Sequence, residues 1–241
     1  MNLSREADHK QFLELVKDAD ILLTNFKLGD DRKLGLESKS LLKINPRLII
    51  GKISGFGDQS DRVAYDLILQ AETGFMSMNG TKDSGPIKMP VALIDVLAGH
   101  QLKEGILLAL MERQLTGKGR EVSVSLYDAA ICSLANQASN YLMTGHVAQR
   151  IGSLHPNIAP YGELFKTKDG ATLTFAIGSD NHFEKFTTEL GVPELARDAR
   201  FVHNQQRLEN REILFALLET LIYQFDSEQL LANLHLKHVP C

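Results

Sequence analysis

The sequence predicts an α/β protein: a parallel-sheet domain wrapped by helices over residues 1–150, and a second, smaller α+β unit over 151–241. Three observations carry this. Helix-like and strand-like stretches alternate through the first fifty residues at the spacing of βαβ units. The candidate strands are short apolar runs of the kind a parallel sheet buries on both faces. Composition shifts near residue 150, where a loop-rich stretch follows a helical pattern ending at Gly145.

The elements follow in order. Phe12, Leu13, Leu15 and Val16 recur at helical spacing within "DHKQFLELVKDA". Ile21 to Thr24 reads as a short buried strand. "LESKSLLKIN" reads as a helix stopping before Pro46, and "RLIIGKIS" as a second strand. "SGFGDQSDR", residues 54–62, is a glycine-bearing loop after that strand. In an open α/β sheet ligands sit beyond the carboxyl ends of strands. Asn25-Phe26 and Gly55-Phe56-Gly57 both fall at such ends. Residues 65–78 read as one apolar helix. A long apolar helix follows from Val96 to Leu115, with Lys103, Glu104, Glu112 and Arg113 on its wet face and Gly117 as its cap. "EVSVSL" alternates as a strand, and "YDAAICSLANQASNYLMTG" reads as a second long helix. "QRIGSLHPNIAPYGELFKTKDG" reads as loop, "ATLTFAIG" as strand, and the remainder as mostly helical. "LGVPELARDARF" reads as a turn, and Ile213, Leu214, Leu217, Leu218 and Leu221 as a core stripe.

Composition narrows the function. The chain has 241 residues, 44% hydrophobic and 23% charged, an ordinary globular balance that supports a real core. A net charge of -4 with no basic stripe argues against nucleic acid. Apolar stretches such as Gly105 to Met111 are too short to span a bilayer, so no membrane partner is expected. The polar N-terminus is neither signal nor transit peptide. Cys132 and Cys241 are far apart, which fits a reducing compartment and neither a disulfide framework nor a zinc site. The expected address is the cytoplasm.

One residue stands out. In "KMPVALIDVLAGH", Asp95 follows a tight apolar run and precedes the long helix. A helix N-cap explains it, because an Asp there satisfies free amides and favours the positive end of the dipole. A covalent nucleophile explains it too, since a carboxylate splits one difficult acyl transfer into two easier ones. The two readings are compatible, because helix-end amides also stabilise a developing oxyanion. The eight histidines form no HExxH or other metal pair, so no metal is expected. His155, in "LHPNIAPY", reads equally as a structural turn or an active-site loop. GxGxxG, GxxxxGK[ST] and GxSxG are all absent.

Taken in order, "ADILLTNFKLG", "LGLESKSLLKINPRLIIGKISGFG", "RVAYDLILQAETGFMSMNG", "IDVLAGHQLKEGILLAL", "TGKGREVSVSLYDAA", "NYLMTG", "HPNIAPY", "FKTKDG" and "LGVPELARDARFVHNQQRLENR" resemble the family III CoA-transferases. That group includes formyl-CoA transferase, carnitine CoA transferase and the bile-acid-inducible transferases (CaiB/BaiF). The resemblance covers nearly the whole chain. It implies a Rossmann-like CoA-binding domain over 1–150 holding the catalytic Asp95, then a linker and part of a small domain over 151–241. It implies transfer of CoA between an acyl-CoA and a free carboxylic acid through an aspartyl-CoA intermediate. No tightly bound cofactor is implied; coenzyme A enters as substrate. Asn25, Phe26, Lys27 and Lys33 match the CoA-contacting turn, and the lysines would meet phosphates as point charges. Ala64, Tyr65 and Asp66 match a segment beside the pantetheine and the reacting carbonyl, although Tyr65 also reads as a core tyrosine. His155, Pro156 and Asn157 match a mobile loop that covers the nucleophile in some members. The resemblance further implies an interlocked homodimer. Racemases of 2-methylacyl-CoA share the fold and carry His-Asp where this chain reads Tyr65-Asp66, which favours a transferase. Family members are longer at both ends, so the chain resembles the middle of a transferase, and a non-catalytic truncated piece is the alternative reading.

Overall fold

In the computed structural model, which describes residues 1–58 and 60–241, three parallel strands frame the first of two units, Met1–Arg150. The order is α1 (Glu6–Asp18), β1 (Ile21–Thr24), α2 (Asp30–Lys33), α3 (Ser38–Ile44), β2 (Ile49–Ser54), α4 (Asp66–Glu72), α5 (Phe75–Met78) and α6 (Leu93–Thr116). Then come β3 (Glu121–Ser125), α7 (Leu126–Cys132) and α8 (Asn136–Thr144). The strands lie β1-β2-β3, with Ile21 opposite Ile49 and Ile50 opposite Glu121. Parallel neighbours need a crossover, and the helices between the strands supply it. The expected parallel α/β sheet is thus present.

Successive strand residues point to opposite faces. Leu48 and Ile50 are fully buried with Val16 of α1 and Leu41 of α3. Ile49 is buried on the other side with Leu102, Ile106 and Ala109 of α6. Asn45 ties the first layer together. Its Nδ2 donates to Val16 O and Ala19 O, both at 2.9 Å, and its Oδ1 accepts from Arg47 N at 2.9 Å. The two donated bonds serve carbonyls at the end of α1, where the regular helical donors run out and Val16 O otherwise has only the Ala19 N–H at 3.3 Å.

Helix α6 lies unusually close to the sheet where Gly105 faces β3. A Cβ at Gly105 would stand 2.5 Å from Val122 Cγ1. Near its other end, Arg113 is buried rather than on the wet face. Its guanidinium donates to Arg47 O at 3.0 Å and Asp20 O at 3.3 Å, and pairs with Asp20 Oδ1 at 2.9 Å. A long side chain at a helix end serves carbonyls at the strand entrances, which apolar periodicity does not reveal.

Three further expectations are corrected. The helix over 65–78 is two helices, broken where Gly74 takes φ 92°. The helix over 127–145 is likewise α7 and α8, with Ala135 at φ 50° between them. The loop expected over 149–170 holds a strand, β4 (Tyr161–Lys166).

The second unit, Ile151–Cys241, pairs β4 antiparallel with β5 (Thr172–Ala176) and adds α9 (Asp180–Glu189), a 3-10 turn (Pro193–Arg197), α10 (Asn204–Glu209), α11 (Arg211–Ile222) and α12 (Ser227–Leu236). Phe165, Phe175, Phe183, Phe186 and Phe201 centre its core. Of the expected stripe, Leu214 and Leu218 are buried and Leu221 packs against the core, whereas Ile213 and Leu217 are exposed. Among the described residues no helix is long and apolar enough to cross a membrane.

Gly99, also on α6, has nothing within 4 Å of where a Cβ would stand. Gly99→Ala is therefore expected to raise stability against urea by about 0.5–1 kcal/mol. Gly105→Ala is expected to lower it, because crowding the stiff Val122 costs about 1–3 kcal/mol and outweighs the same gain. A Gly105→Ala protein as stable as Gly99→Ala would contradict the close packing.

Candidate active site

All three strands of the first unit end at one open cleft of about 590 Å³. Asn25, Phe26 and Lys27 follow β1, Ser54 and Gly55 end β2, and Leu126 follows β3. The opposite wall is the segment Ser60–Tyr65, and Asp95 lies in the lining. Its size is within the range of small-molecule sites, and the carboxyl edge of an open α/β sheet is where such sites form.

Gly55 lets the two walls meet. A Cβ there would fall 2.2 Å from Ala64 Cβ, so only glycine permits the strand end to approach the 60–65 segment. Arg62 is fixed in that segment. Its guanidinium stacks 4.2 Å from the Phe56 ring centroid and forks onto the Glu72 carboxylate, which raises the Arg62 pKa and lowers that of Glu72. Tyr65 is 71% exposed, which rules out the core-tyrosine reading.

Asp95 is not the helix cap. Helix α6 begins two residues earlier, at Leu93, with Ala92 at the cap position and Asp95 in the first turn. The capping carboxylate comes from Asp66, at the start of α4: its Oδ1 accepts the Ile94 N–H at 2.7 Å. The Leu93 N–H is taken by Val91 O at 2.8 Å. Among the described residues, no side chain donates to the Asp95 carboxylate. Partial burial, and then the negative charge of Asp66, push its pKa above the ordinary aspartate value. On either side of Asp95, Ile94 and Ala98 are fully buried against Leu69 of α4 and Ala129 and Ala130 of α7. Asp95 is thus exposed while the turn carrying it is packed.

The other expected residues divide. Asn25, Phe26, Lys27, Ala64 and Tyr65 share the cleft lining with Asp95. Lys27 has Asp61 as its nearest acid, at 3.9 Å. Lys33 is outside the lining and pairs with Asp30 at 2.9 Å. Asp66 is turned to the helix start. Arg62, Ser54, Val63 and Leu126 line the cleft and were not singled out from sequence; the charge of Arg62 beside Ala64-Tyr65 was the available signal. Gln59, in the same loop, lies outside the described residues.

His155, Pro156 and Asn157 belong to the second unit. His155 packs on Tyr161 at 4.8 Å between ring centroids and accepts the Asn157 N–H at 3.1 Å. Burial, and then the positive charge of Arg211, lower its pKa and favour the neutral ring. The backbone of this loop is tied from α10 and α11. Asn204 donates to Asn157 O at 2.8 Å and accepts the Ala159 N–H at 3.1 Å. The fully buried Arg207 donates to Ala159 O at 2.8 Å, and Arg211 donates to Ile158 O. Among the described residues no group of three or more His, Cys, Asp or Glu is arranged for a metal.

Gly55→Val is expected to force Ala64 and Tyr65 outward and to cost about 1–3 kcal/mol of stability through overpacking. Amide chemical shifts over 60–66 and a urea titration would read both effects. Unchanged shifts would contradict the close approach.

Comparison with known proteins identifies the family. The model of CoA-transferase family III matches residues 1–241. Acetyl-CoA:oxalate CoA-transferase of Acetobacter aceti is 36% identical across 100% of this chain and 62% of its own length. Succinate–glutarate CoA-transferase of Agrobacterium fabrum is 35% identical, over 94% of this chain and 57% of its own. The chain therefore spans about three fifths of the length of these relatives. The crystal structure of a CAIB/BAIF family protein from Brucella suis superposes with a TM-score of 0.79 at 40% identity, covering 99% of this chain and 64% of that one. With the family model matched from end to end and the fold shared, this chain belongs to CoA-transferase family III.

Proposed function

We propose that the chain carries the CoA-transfer chemistry of its family, with Asp95 as the nucleophile. The observation that supports this most is an aspartate in a cleft at the strand ends, with no side-chain donor among the described residues and its basicity raised by burial and by Asp66. A carboxylate held by an Arg or by several amides would be a weaker base and a weaker nucleophile.

The Asp95 carboxylate attacks the carbonyl of an acyl-CoA thioester, forming a mixed anhydride and expelling CoA thiolate. The thiolate attacks the aspartyl carbonyl of the anhydride. That releases the donor acid, which keeps one Asp95 oxygen, and leaves an aspartyl-CoA thioester. An acceptor carboxylate attacks this thioester, giving a second anhydride and thiolate again. The thiolate then attacks the acceptor carbonyl, forming the new acyl-CoA and restoring Asp95 with one acceptor oxygen. Every bond broken is matched by one of similar energy, and no outside reductant, oxidant or ATP enters.

The surrounding residues have roles in this scheme. Lys27 and Arg62 place positive charge along the cleft for the anionic CoA, and Asn25, Phe26, Ala64 and Tyr65 give it a mixed polar and apolar wall. Lys33 stands outside that lining and is left for the distal phosphates. The relatives' names point to small dicarboxylic acids, so oxalate, succinate and glutarate are the acids to test. The homodimer belongs to the same reading. Leu108, Met111 and Leu115 share one face of α6 and are 67%, 64% and 89% exposed, which is surface for a partner to cover.

The test is covalent trapping. With succinyl-CoA followed by hydroxylamine or borohydride, mass spectrometry is expected to find modification at Asp95 alone, absent in Asp95→Asn. Adduct formation is expected to fall off on acidification at a pH above the ordinary aspartate range, because the raised pKa protonates the nucleophile early. A folded protein unmodified by succinyl-CoA and acetyl-CoA alike would support the non-catalytic alternative instead.

A further inference from the structure

We propose that Asp66 and Gln70, one turn apart on α4, are positioning residues for Asp95: together they strap the chain that enters α6 and hold its first turn at the cleft. The inference rests on Asp95 being the nucleophile, and it assigns these two side chains a role distinct from contact with CoA.

The geometry is a closed network. Gln70 is fully buried. Its Oε1 accepts the Met89 N–H at 2.8 Å, and its Nε2 donates to Val91 O at 3.4 Å and to Asp66 Oδ2 at 2.6 Å. Asp66 then uses its remaining oxygen for the Ile94 N–H at 2.7 Å. Three bonds thus join one turn of α4 to residues 89, 91 and 94, the stretch of chain just before Asp95, and a fourth links Gln70 to Asp66 within α4. A buried amide that spends its donor and acceptor on one segment fixes that segment's path, because any other path leaves it unsatisfied.

The arrangement has an electrostatic consequence. A carboxylate cap satisfies the helix start, but it sets a second negative charge near Asp95 and makes ionised Asp95 a stronger base. The other groups do not cancel it. Arg62 is engaged by Glu72 and Lys27 stands nearest Asp61; Tyr65 ends the 60–65 segment. Asp128 of α7 is bonded to Ser125 Oγ at 2.6 Å, and on α6 itself His100 is bonded to Lys103 at 3.1 Å. Helix capping alone would be served as well by a neutral Asn.

Two variants separate the geometry from the charge. Asp66→Asn removes the charge and keeps an oxygen for Ile94, while its amide nitrogen, a donor, gives up the bond from Gln70 Nε2. Gln70→Met keeps the volume and removes the strap. Carbon NMR titration of the Asp95 carboxyl, hydrogen exchange at the Ile94 amide, and the pH profile of adduct formation with succinyl-CoA are measured for each. For Asp66→Asn, the Asp95 titration and the acid limb of the profile are both expected to move to lower pH. For Gln70→Met, Ile94 exchange is expected to quicken roughly five- to tenfold, the loss of a helix-start constraint, and the plateau rate to fall with the acid limb unmoved. An Asp95 titration unaffected by Asp66→Asn, or Ile94 exchange and plateau rate unaffected by Gln70→Met, would overturn the proposal. A wild-type protein that forms no adduct would instead refute the nucleophile reading, while titration and exchange still decide the strap.

Discussion

The way α6 is pinned to the sheet sets the position of everything in the cleft. Its 24 residues make a rod about 36 Å long, held at three places. Asp66 holds the first turn, Gly105 lets the middle sink against Val122, and Arg113 fastens the far end to the strand entrances. Each attachment is of a different kind: a charge-assisted cap, a close steric fit, and a buried guanidinium serving backbone carbonyls. A rod held in three such ways resists sliding and rotation. Asp95 therefore inherits its place from residues that are distant in sequence and have no chemistry of their own.

The electrostatics of the cleft follow from that frame. Its cations are occupied at their own ends, Arg62 by Glu72 and Phe56 and Lys27 facing Asp61. Among the described residues no side chain donates to the Asp95 carboxylate. Two acids close together at the start of a helix oppose one another, and the dipole of α6 relieves part of the repulsion. The buried turn beneath it, Ile94 and Ala98 packed on α4 and α7, is what sustains this local tension.

Much of this was legible in the sequence, for physical reasons that differ by element. The strand Ile49–Ser54 shows as a short apolar run because its first three residues are buried, whereas Ile21–Thr24, read as buried, is an edge strand with Ile21 and Leu23 exposed. The body of α6 shows through its periodicity, and Asp95 through its abrupt appearance in an apolar setting. The cap was misassigned because the carboxylate that reaches Ile94 stands 28 residues earlier, and local capping rules look only to adjacent positions. Arg113 was misplaced because a charged residue at a helix end reads as solvated until the carbonyls it meets are known. The breaks at Gly74 and Ala135 interrupt patterns that are helical on both sides, so periodicity runs straight through them. Gly55 and Arg62 matter through what they meet across a loop, which no spacing rule encodes.

The most direct measurement follows the oxygen atoms. An acceptor acid labelled with heavy oxygen in both carboxylate positions is turned over with an acyl-CoA, and the peptide containing Asp95 is weighed and sequenced by mass spectrometry. Attack through Asp95 predicts that labelled oxygen enters its carboxylate, one atom after a single turnover and up to two on repeated turnover, and enters no other residue. Transfer of CoA to the acceptor with Asp95 unlabelled would contradict the aspartyl intermediate and the role given to this residue.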